Sequence, residues 1–328
     1  MLELLNNSNA TIKIYHGYGH KDNLTVFGHV FKKKIVIRNN HTNSFLINSL
    51  HLIKLFFIKP LPEVDVQLQW EDQRLFSKTN SSGFFCFEWK SNNTIEAGWH
   101  SVIVNLLDEN GKISRTGEGK IFVPHSTQYA FISDIDDTVL ISYSGKTFKK
   151  LVELFTKHPR KRKAFDEVVK FYQLLSLAHT EAGMANPFFY VSSSEWNLYD
   201  DLKEFFRHNN LPEGVFLLND IKNWYQLFKT GNTKHQGKLI RIERILNAFP
   251  KQKFILLGDN SQKDPEIYLS IANKYPDSIT AIYIRNIDSA TKSFTKKIML
   301  SIQNNRIQTL IYNHSGEAIL HAKETGLI

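Results

Sequence analysis

Residues 129–140, YAFISDIDDTVL, constrain the possible folds of this chain more than any other stretch. Tyr129 to Ile132 is a short apolar run with aromatic and β-branched members, which predicts a strand buried on both faces of a parallel sheet. The run passes through Ser133 into Asp134, Asp136 and Asp137, three carboxylates within four positions. Such groups repel one another, and a strand end has little reason to gather them unless a cation joins them. Mg²⁺ is bound in this way, through one or two carboxylates, waters and phosphate oxygens. The carboxyl ends of strands are also where open α/β sheets bind ligands. The alternative is an acidic turn that caps a helix, since Asp and Thr are good N-cap residues.

Downstream, strands and helices alternate. The pattern predicts strands at 129–134, 187–192, 214–219, 253–258 and 279–284, and helices within 146–180 and at 195–209, 237–248 and 265–275. Repeated βα alternation implies a parallel sheet with helices on both faces. Asp134, Ser192 and Asp259 then fall along one edge of that sheet. The interval before residue 187 has room for a small helical cap. Residues 286–328 read as a polar helix, a strand-like TLIYN and a short last helix.

The N-terminal part is patterned differently. Three strand-like pieces, TIKIYHGYG, NLTVFGHVF and KKIVIRN, occupy 11–39, and a helix is expected over 43–59, ended by Pro60 and Pro62. Val64 to Trp70 alternates strictly between apolar and polar, the mark of a half-buried strand. Further strands are expected at 84–89, 99–107 and 115–123, with Asn110-Gly111 as a hairpin turn between the last two. These elements predict a β-sandwich-like domain over 10–124 with one added helix. His16, His20 and His29 read as ordinary sheet or surface histidines, and Pro124 to Thr127 as a linker.

Composition narrows the class. At 328 residues, 42% hydrophobic and 22% charged, the chain has the makings of about two ordinary globular domains. Cys86 is the single cysteine, so no intramolecular disulfide forms. The start, MLELLNNSNATIKIY, lacks the pattern of a secretory signal. The apolar stretch Phe45 to Ile58 is too short to span a bilayer and is broken by Asn48, His51 and Lys54. A cytoplasmic protein without a transmembrane segment is the expectation, with peripheral membrane contact open to it. The net charge of +9 favours phosphate esters, acidic lipids or nucleic acid without choosing among them. The basic run 157–163 is either a solvated helix face or a contact for anionic lipid headgroups.

Four motifs occur in order: Asp134-Ile135-Asp136-Asp137-Thr138 after a strand, PFFYVSSS ending near Ser192, Lys238 opening the helical KLIRIERIL, and FILLGDNSQKD with Asp259 and Asp264. This series resembles the haloacid-dehalogenase-like (HAD-like) phosphatases. YVSSSEWNLYD, the KTG before the Lys-led helix, and GDNSQKDPEIY with AIYIR are similar to the catalytic domain of the App1 family of phosphatidate phosphatases, in its bacterial-type form. The resemblance is strong over 125–290 and weaker in KIYHGYG and GWHSVIV. Glu195 stands where the family has Pro, and Gly237 where it often has His.

The resemblance implies a HAD-like Rossmannoid parallel sheet with a small helical cap, followed by a C-terminal extension over 291–328 packed on it. It implies Mg²⁺-dependent hydrolysis of phosphatidate to diacylglycerol and phosphate through an aspartyl-phosphate. Asp134 is then the nucleophile and a metal ligand. Asp136 protonates the leaving alkoxide, activates water and offers its backbone carbonyl to the metal. Asp137 is left as a helix-start charge. Thr138 shapes the loop or touches the substrate phosphate, and Ser192 donates to a phosphoryl oxygen. Ser193 and Ser194 are expected to cap the following helix. Lys238 is the fixed cation for the transferring phosphoryl and the nucleophile, ahead of Lys234 and His235 in the same loop. Asp259 is a metal ligand, and Asp264 is a ligand or an N-cap. Rival readings are a phosphatase for a soluble or nucleic-acid-terminal phosphate, and an adaptor that binds phosphate or membrane without turnover. The full acid and lysine set argues against the adaptor.

Overall fold

The computed structural model describes residues 10–32, 59–125, 129–135, 138–139, 166–181, 184–219, 233–303 and 307–328. The expected KKIVIRN strand, the helix over 43–58, the basic run 157–163, Asp136 and Asp137 lie outside these residues, as do the side chains of Lys234 and His235. The chain divides into two compact units between Pro124 and His125.

The first unit contains β1 (Thr11–Ile14), β2 (Gly17–His20), β3 (Asn23–Phe31), β4 (Asp65–Trp70), β5 (Gln73–Lys78), β6 (Phe84–Trp89), β7 (Gly98–Leu107) and β8 (Ile113–Val123). Hydrogen bonding joins all eight into one sheet in the order β1-β3-β2-β8-β7-β4-β5, with β6 paired to β3. In this sheet β3 meets three strands, β1, β2 and β6. TIKIYHGYG is two strands, broken at Tyr15-His16. β5 has no counterpart in the sequence reading, because Gln-Arg-Leu-Phe-Ser-Lys has only two apolar residues and Phe76 faces solvent. Its pairing with β4 follows from the tight turn at Glu71-Asp72, where Glu71 takes a φ of 49°. The hairpin at Asn110-Gly111 forms as expected, with Gly111 at a φ of 74° that favours glycine. Leu24, Val26, Val66, Leu68, Phe85, Val104 and Ile121 are among the residues of the buried core.

The second unit is a six-stranded sheet of β9 (Tyr129–Ser133), β10 (Phe188–Glu195), β11 (Val215–Asn219), β12 (Lys253–Asp259), β13 (Ile279–Arg285) and β14 (Gln308–Tyr312). Its order is β11-β10-β9-β12-β13-β14, and every pair is parallel. The helices are α1 (Asp166–Leu177), α2 (Tyr199–His208), α3 (Thr233–Ala248), α4 (Asp264–Lys274), α5 (Lys292–Gln303) and α6 (Ser315–Glu324). Alternate residues of one strand face opposite sides of the sheet. Phe188 stacks with Phe131 and with Tyr172 of α1, whereas Phe189 meets Phe249 at the end of α3. Both faces of β10 are thus covered, which is why its sequence is continuously apolar rather than alternating.

Two boundaries differ from expectation. β10 runs on through Ser193 and Ser194 to Glu195, so these serines are strand residues and not helix caps. A short 3₁₀ turn, Trp196–Leu198, then leads into α2. α3 begins at Thr233, which puts Lys238 in its second turn rather than at its start. As read from the sequence, the segment after 291 is a helix, a strand and a last helix, and its strand, β14, pairs with β13 at the sheet edge.

His29 gives the first unit a pH dependence. It is fully buried beside Phe31 and Phe84, with Nδ1 3.1 Å from the Tyr15 hydroxyl. Burial pushes its pKa from 6.5 down to about 3. Neutral in the fold but protonatable once unfolded, His29 makes the unfolded state take up the extra proton as the pH falls below about 6.5. It therefore removes up to about 1.4 kcal/mol of stability per pH unit between those two values. His29→Gln should flatten this part of the curve. Urea unfolding of both proteins between pH 8 and pH 5 (roughly the window set by the free imidazole) checks it, and parallel curves would show that His29 does not titrate in this way.

Candidate active site

The chain passes from β9 to β10 and β11 on one side and places β12, β13 and β14 on the other. The gap between β9 and β12 is therefore a topological switch point, where a crevice opens at the carboxyl ends of the strands. Asp134 follows β9 and Asp259 ends β12, so the two acids flank that point. The Asp134 amide donates to the Leu257 carbonyl at 2.9 Å, which fixes the end of β9 against β12.

Two helices complete the cluster. α4 begins at Asp264, whose carboxylate returns over the strand end to within 3.4 Å of the Asp259 amide. Asp264 is a residue of the helix itself; Lys263 takes the N-cap position, which removes the N-cap reading. Gly258 makes this approach possible: a Cβ there would lie 2.6 Å from Asp264 Oδ2 and 2.8 Å from the Tyr268 ring. From α3, Lys238 donates to Asp134 Oδ1 at 2.7 Å and to Asp264 Oδ1.

All four groups are buried, with Asp134 and Asp264 1% exposed and Lys238 3%. Burial by itself would push the Lys238 pKa down, but the carboxylates of Asp134 and Asp264 more than reverse this and hold it above its ordinary value. Burial and the neighbouring charge of Asp264 push Asp259 up to about 7, against a lowering contribution from its bond with Ser261. Asp259 accepts from the Ser261 amide at 2.6 Å and from the Thr138 hydroxyl at 3.1 Å. Thr138 thus bonds across the site rather than only within its own loop, because the turn after Asp134 carries it to the end of β12.

Ser192 is fully buried in β10, its hydroxyl accepting the Ser194 amide at 2.9 Å. Its carbonyl accepts from Arg241 at 3.2 Å, and Arg241 also donates to Asn219 at 2.7 Å. Sequence reasoning passed over Arg241, although it stands three residues after Lys238 on the same helix. It also passed over Arg285 at the end of β13, which donates to the Thr138 carbonyl, and over Ser133, whose hydroxyl is 2.6 Å from that of Tyr172. AIYIR ends in this arginine, and a basic residue closing an apolar strand was the available signal.

Asp134, Asp259 and Asp264 each offer a carboxylate oxygen, all within 4.8 Å of one another. Three buried hard oxygen donors suit Mg²⁺, Ca²⁺ or Mn²⁺ rather than a softer metal. Lys238 offsets only part of their charge, so the donor set fits a divalent cation.

The packing at Gly258 is directly testable. Gly258→Ala should destabilise the protein by about 1–3 kcal/mol, since a methyl group must displace Asp264 or the Tyr268 ring. Gly316→Ala, where an added Cβ meets nothing within 4 Å, should leave stability unchanged or slightly improved. Equal effects of the two changes in urea unfolding would contradict the close approach of Asp264.

Residues 129–286 match the family model described as the catalytic domain of phosphatidate phosphatase APP1. The chain is 34% identical over 178 residues to Phosphatidate phosphatase APP1 of Saccharomyces cerevisiae, an alignment covering 53% of this chain and 29% of that protein. It is 24% identical over 227 residues to an uncharacterized protein of Schizosaccharomyces pombe, covering 67% and 36% respectively. The chain spans about a third of the length of these curated relatives. Among solved structures, a carbohydrate acetylesterase from Xanthomonas citri aligns with a TM-score of 0.34 at 9% identity, over 92% of this chain and 68% of that one, too slight a likeness to bear on the fold. The buried cluster of Asp134, Thr138, Lys238, Asp259 and Asp264 lies entirely inside the segment that matches the App1 catalytic domain.

Proposed function

We propose that this chain is a Mg²⁺-dependent phosphoric monoester hydrolase that converts phosphatidate to diacylglycerol and phosphate. One observation carries the reading: Lys238 is buried between Asp134 and Asp264 at the switch point of a parallel sheet, inside the segment that matches the App1 catalytic domain. Residues 125–290 are assigned as a HAD-like catalytic domain, 291–328 as its C-terminal part and 10–124 as an accessory domain.

Asp134 attacks phosphorus, forming an aspartyl-phosphate as the bond to the diacylglycerol oxygen breaks. Lys238 keeps the Asp134 carboxylate ionised and oriented for that attack. Asp136, placed by sequence alone, gives the departing alkoxide a proton and then takes one from the water that hydrolyses the intermediate. Phosphate leaves and Asp134 is regenerated. Asp134, Asp259 and Asp264 would hold the Mg²⁺, with the Asp136 carbonyl assigned beside them from the sequence alone. When bound, the cation offsets the repulsion between nucleophile and phosphate and draws charge from the equatorial oxygens. Thr138 steadies Asp259 through its hydroxyl, and Ser192 is assigned to a phosphoryl oxygen.

No helix among the described residues is long and apolar enough to cross a membrane. The lipid is assigned to peripheral contact from the cytoplasm, which a net charge of +9 assists.

Phosphate release is measured from phosphatidate in mixed micelles and from soluble phosphomonoesters, with Mg²⁺ and with chelator. Turnover of phosphatidate should require Mg²⁺, and Asp134→Asn should abolish it without lowering the melting temperature. Asp136→Asn should reduce kcat by about 10²–10⁴-fold. Addition of Mg²⁺ should raise the melting temperature of wild type and of Asp136→Asn but not of Asp259→Asn. Wild-type release from a folded Asp134→Asn variant would remove the nucleophile assignment, and a strong preference for soluble esters would remove the lipid one.

A further inference from the structure

We infer that the β13–α5 connection and the outward side of α5 form a docking surface for an anionic lipid bilayer beside the site. This rests on the phosphatidate reading and adds the means by which the enzyme meets its substrate. β12 and β13 run parallel with Asp259 in register with Arg285, so residues 286–291 leave the sheet at the same edge as the acid cluster.

Asn260, immediately after Asp259 and 1% exposed, ties that connection down. Its side-chain amide donates to Asn286 Oδ1 at 2.9 Å and to the Asp288 carbonyl at 2.8 Å. Its Oδ1 accepts from the Ile287 amide at 2.7 Å and from the Asp288 amide at 2.9 Å. Its backbone carbonyl accepts from the Thr291 hydroxyl at 2.8 Å, and its amide donates to the Arg285 carbonyl at 3.1 Å. The loop is thereby held at a fixed place relative to Asp259.

What the loop and helix present outward is apolar and basic. Ile287 is 43% exposed, Phe294 54% and Leu300 53%. Lys292, Lys296 and Lys297 are exposed on the same helix, which has no acidic residue from Lys292 to Gln303. Thr295, Ile298, Met299 and Ile302 form its buried side. Ion pairing within the protein uses none of these three lysines among the described residues. Of the nearby acids, Asp288 accepts the Ala290 amide within the loop. Exposed aromatic and aliphatic groups among unpaired lysines match an interface where apolar side chains enter the acyl boundary and ammonium groups meet anionic headgroups. An acidic protein surface would satisfy the lysines but leave Ile287 and Phe294 without their apolar partner at the mouth of a lipid-handling site.

The test is sedimentation of the full chain with vesicles of phosphatidylcholine mixed with phosphatidylserine, against pure phosphatidylcholine, alongside phosphate-release assays. Wild type should prefer the anionic vesicles. Lys292→Gln/Lys296→Gln/Lys297→Gln should lose about a hundred-fold in partitioning, since each lysine contributes about five-fold at such a surface. High salt should reproduce that loss in wild type. Ile287→Ser/Phe294→Ser should weaken vesicle binding at every salt concentration. Both variants should keep the wild-type melting temperature and the wild-type rate on a soluble phosphomonoester, while losing hydrolysis of phosphatidate in vesicles. Wild-type vesicle binding by both variants, or no preference of wild type for anionic vesicles, overturns the inference whatever the activity. Binding that depends on these residues in a protein that releases no phosphate from phosphatidate would instead leave the docking surface standing and remove the phosphatidate reading.

Discussion

The Lys238 ammonium shared by Asp134 and Asp264 is the interaction on which the site depends. It joins three elements that are distant in sequence: the end of β9, the second turn of α3 and the first turn of α4. Charges so fully buried cost several kcal/mol each to desolvate, and they persist only where partners and hydrogen bonds compensate them. Removing Lys238 would leave both carboxylates without their compensating cation. Position and protonation of the cluster are therefore set together, and the packing of α3 and α4 on the sheet becomes part of the chemistry.

Around that ion cluster, backbone geometry does the placing. A parallel sheet whose chain turns outward in both directions from β9 opens a crevice between β9 and β12, and the acids emerge there because they end those strands. Gly258 lets Asp264 come within contact of the strand end, where any side chain would occupy its place. Arg241 and Asn260 act one layer out. Arg241 links α3 to the ends of β10 and β11, and Asn260 links the Asp259 strand end to the loop that follows β13. Each adds side-chain hydrogen bonds between elements, and a hydrogen-bonded network tolerates less shift than apolar packing does.

The first unit shows the opposite use of buried polarity. His29 is kept neutral among aromatic rings with Tyr15 as its partner, and no cluster of carboxylates or metal donors accompanies it among the described residues. Its burial bears on stability and pH tolerance rather than on reaction chemistry. The two units thus differ in what these buried polar groups do: one gathers interacting charges at strand ends, and the other holds His29 neutral among aromatic rings within a sheet.

Much of the second unit was legible in the residues themselves. Continuous apolar runs such as Phe188 to Val191 and Phe254 to Leu257 mark strands covered on both faces, and acids or serines at their ends mark one sheet edge, because local pattern and burial are linked by strand geometry. The hairpin at Asn110-Gly111 was equally plain, since a turn of that kind is decided by its own two residues. The strand β5 was not legible, because pairing with β4 rather than its own apolar content holds it in place. Nor could Ser193 and Ser194 be recognised as strand residues, as short polar residues suit caps and strand ends alike. Nothing in the sequence marked Asn260, whose partners lie across the sheet edge. By itself the sequence determined which strands are buried and which carboxylates could stand at their ends, since these follow from local periodicity. Only the tertiary structure decided that Lys238 lies between Asp134 and Asp264, and that Thr138 and Asn260 brace Asp259 and its loop, because those contacts join residues brought together by sheet order and helix packing rather than by spacing along the chain.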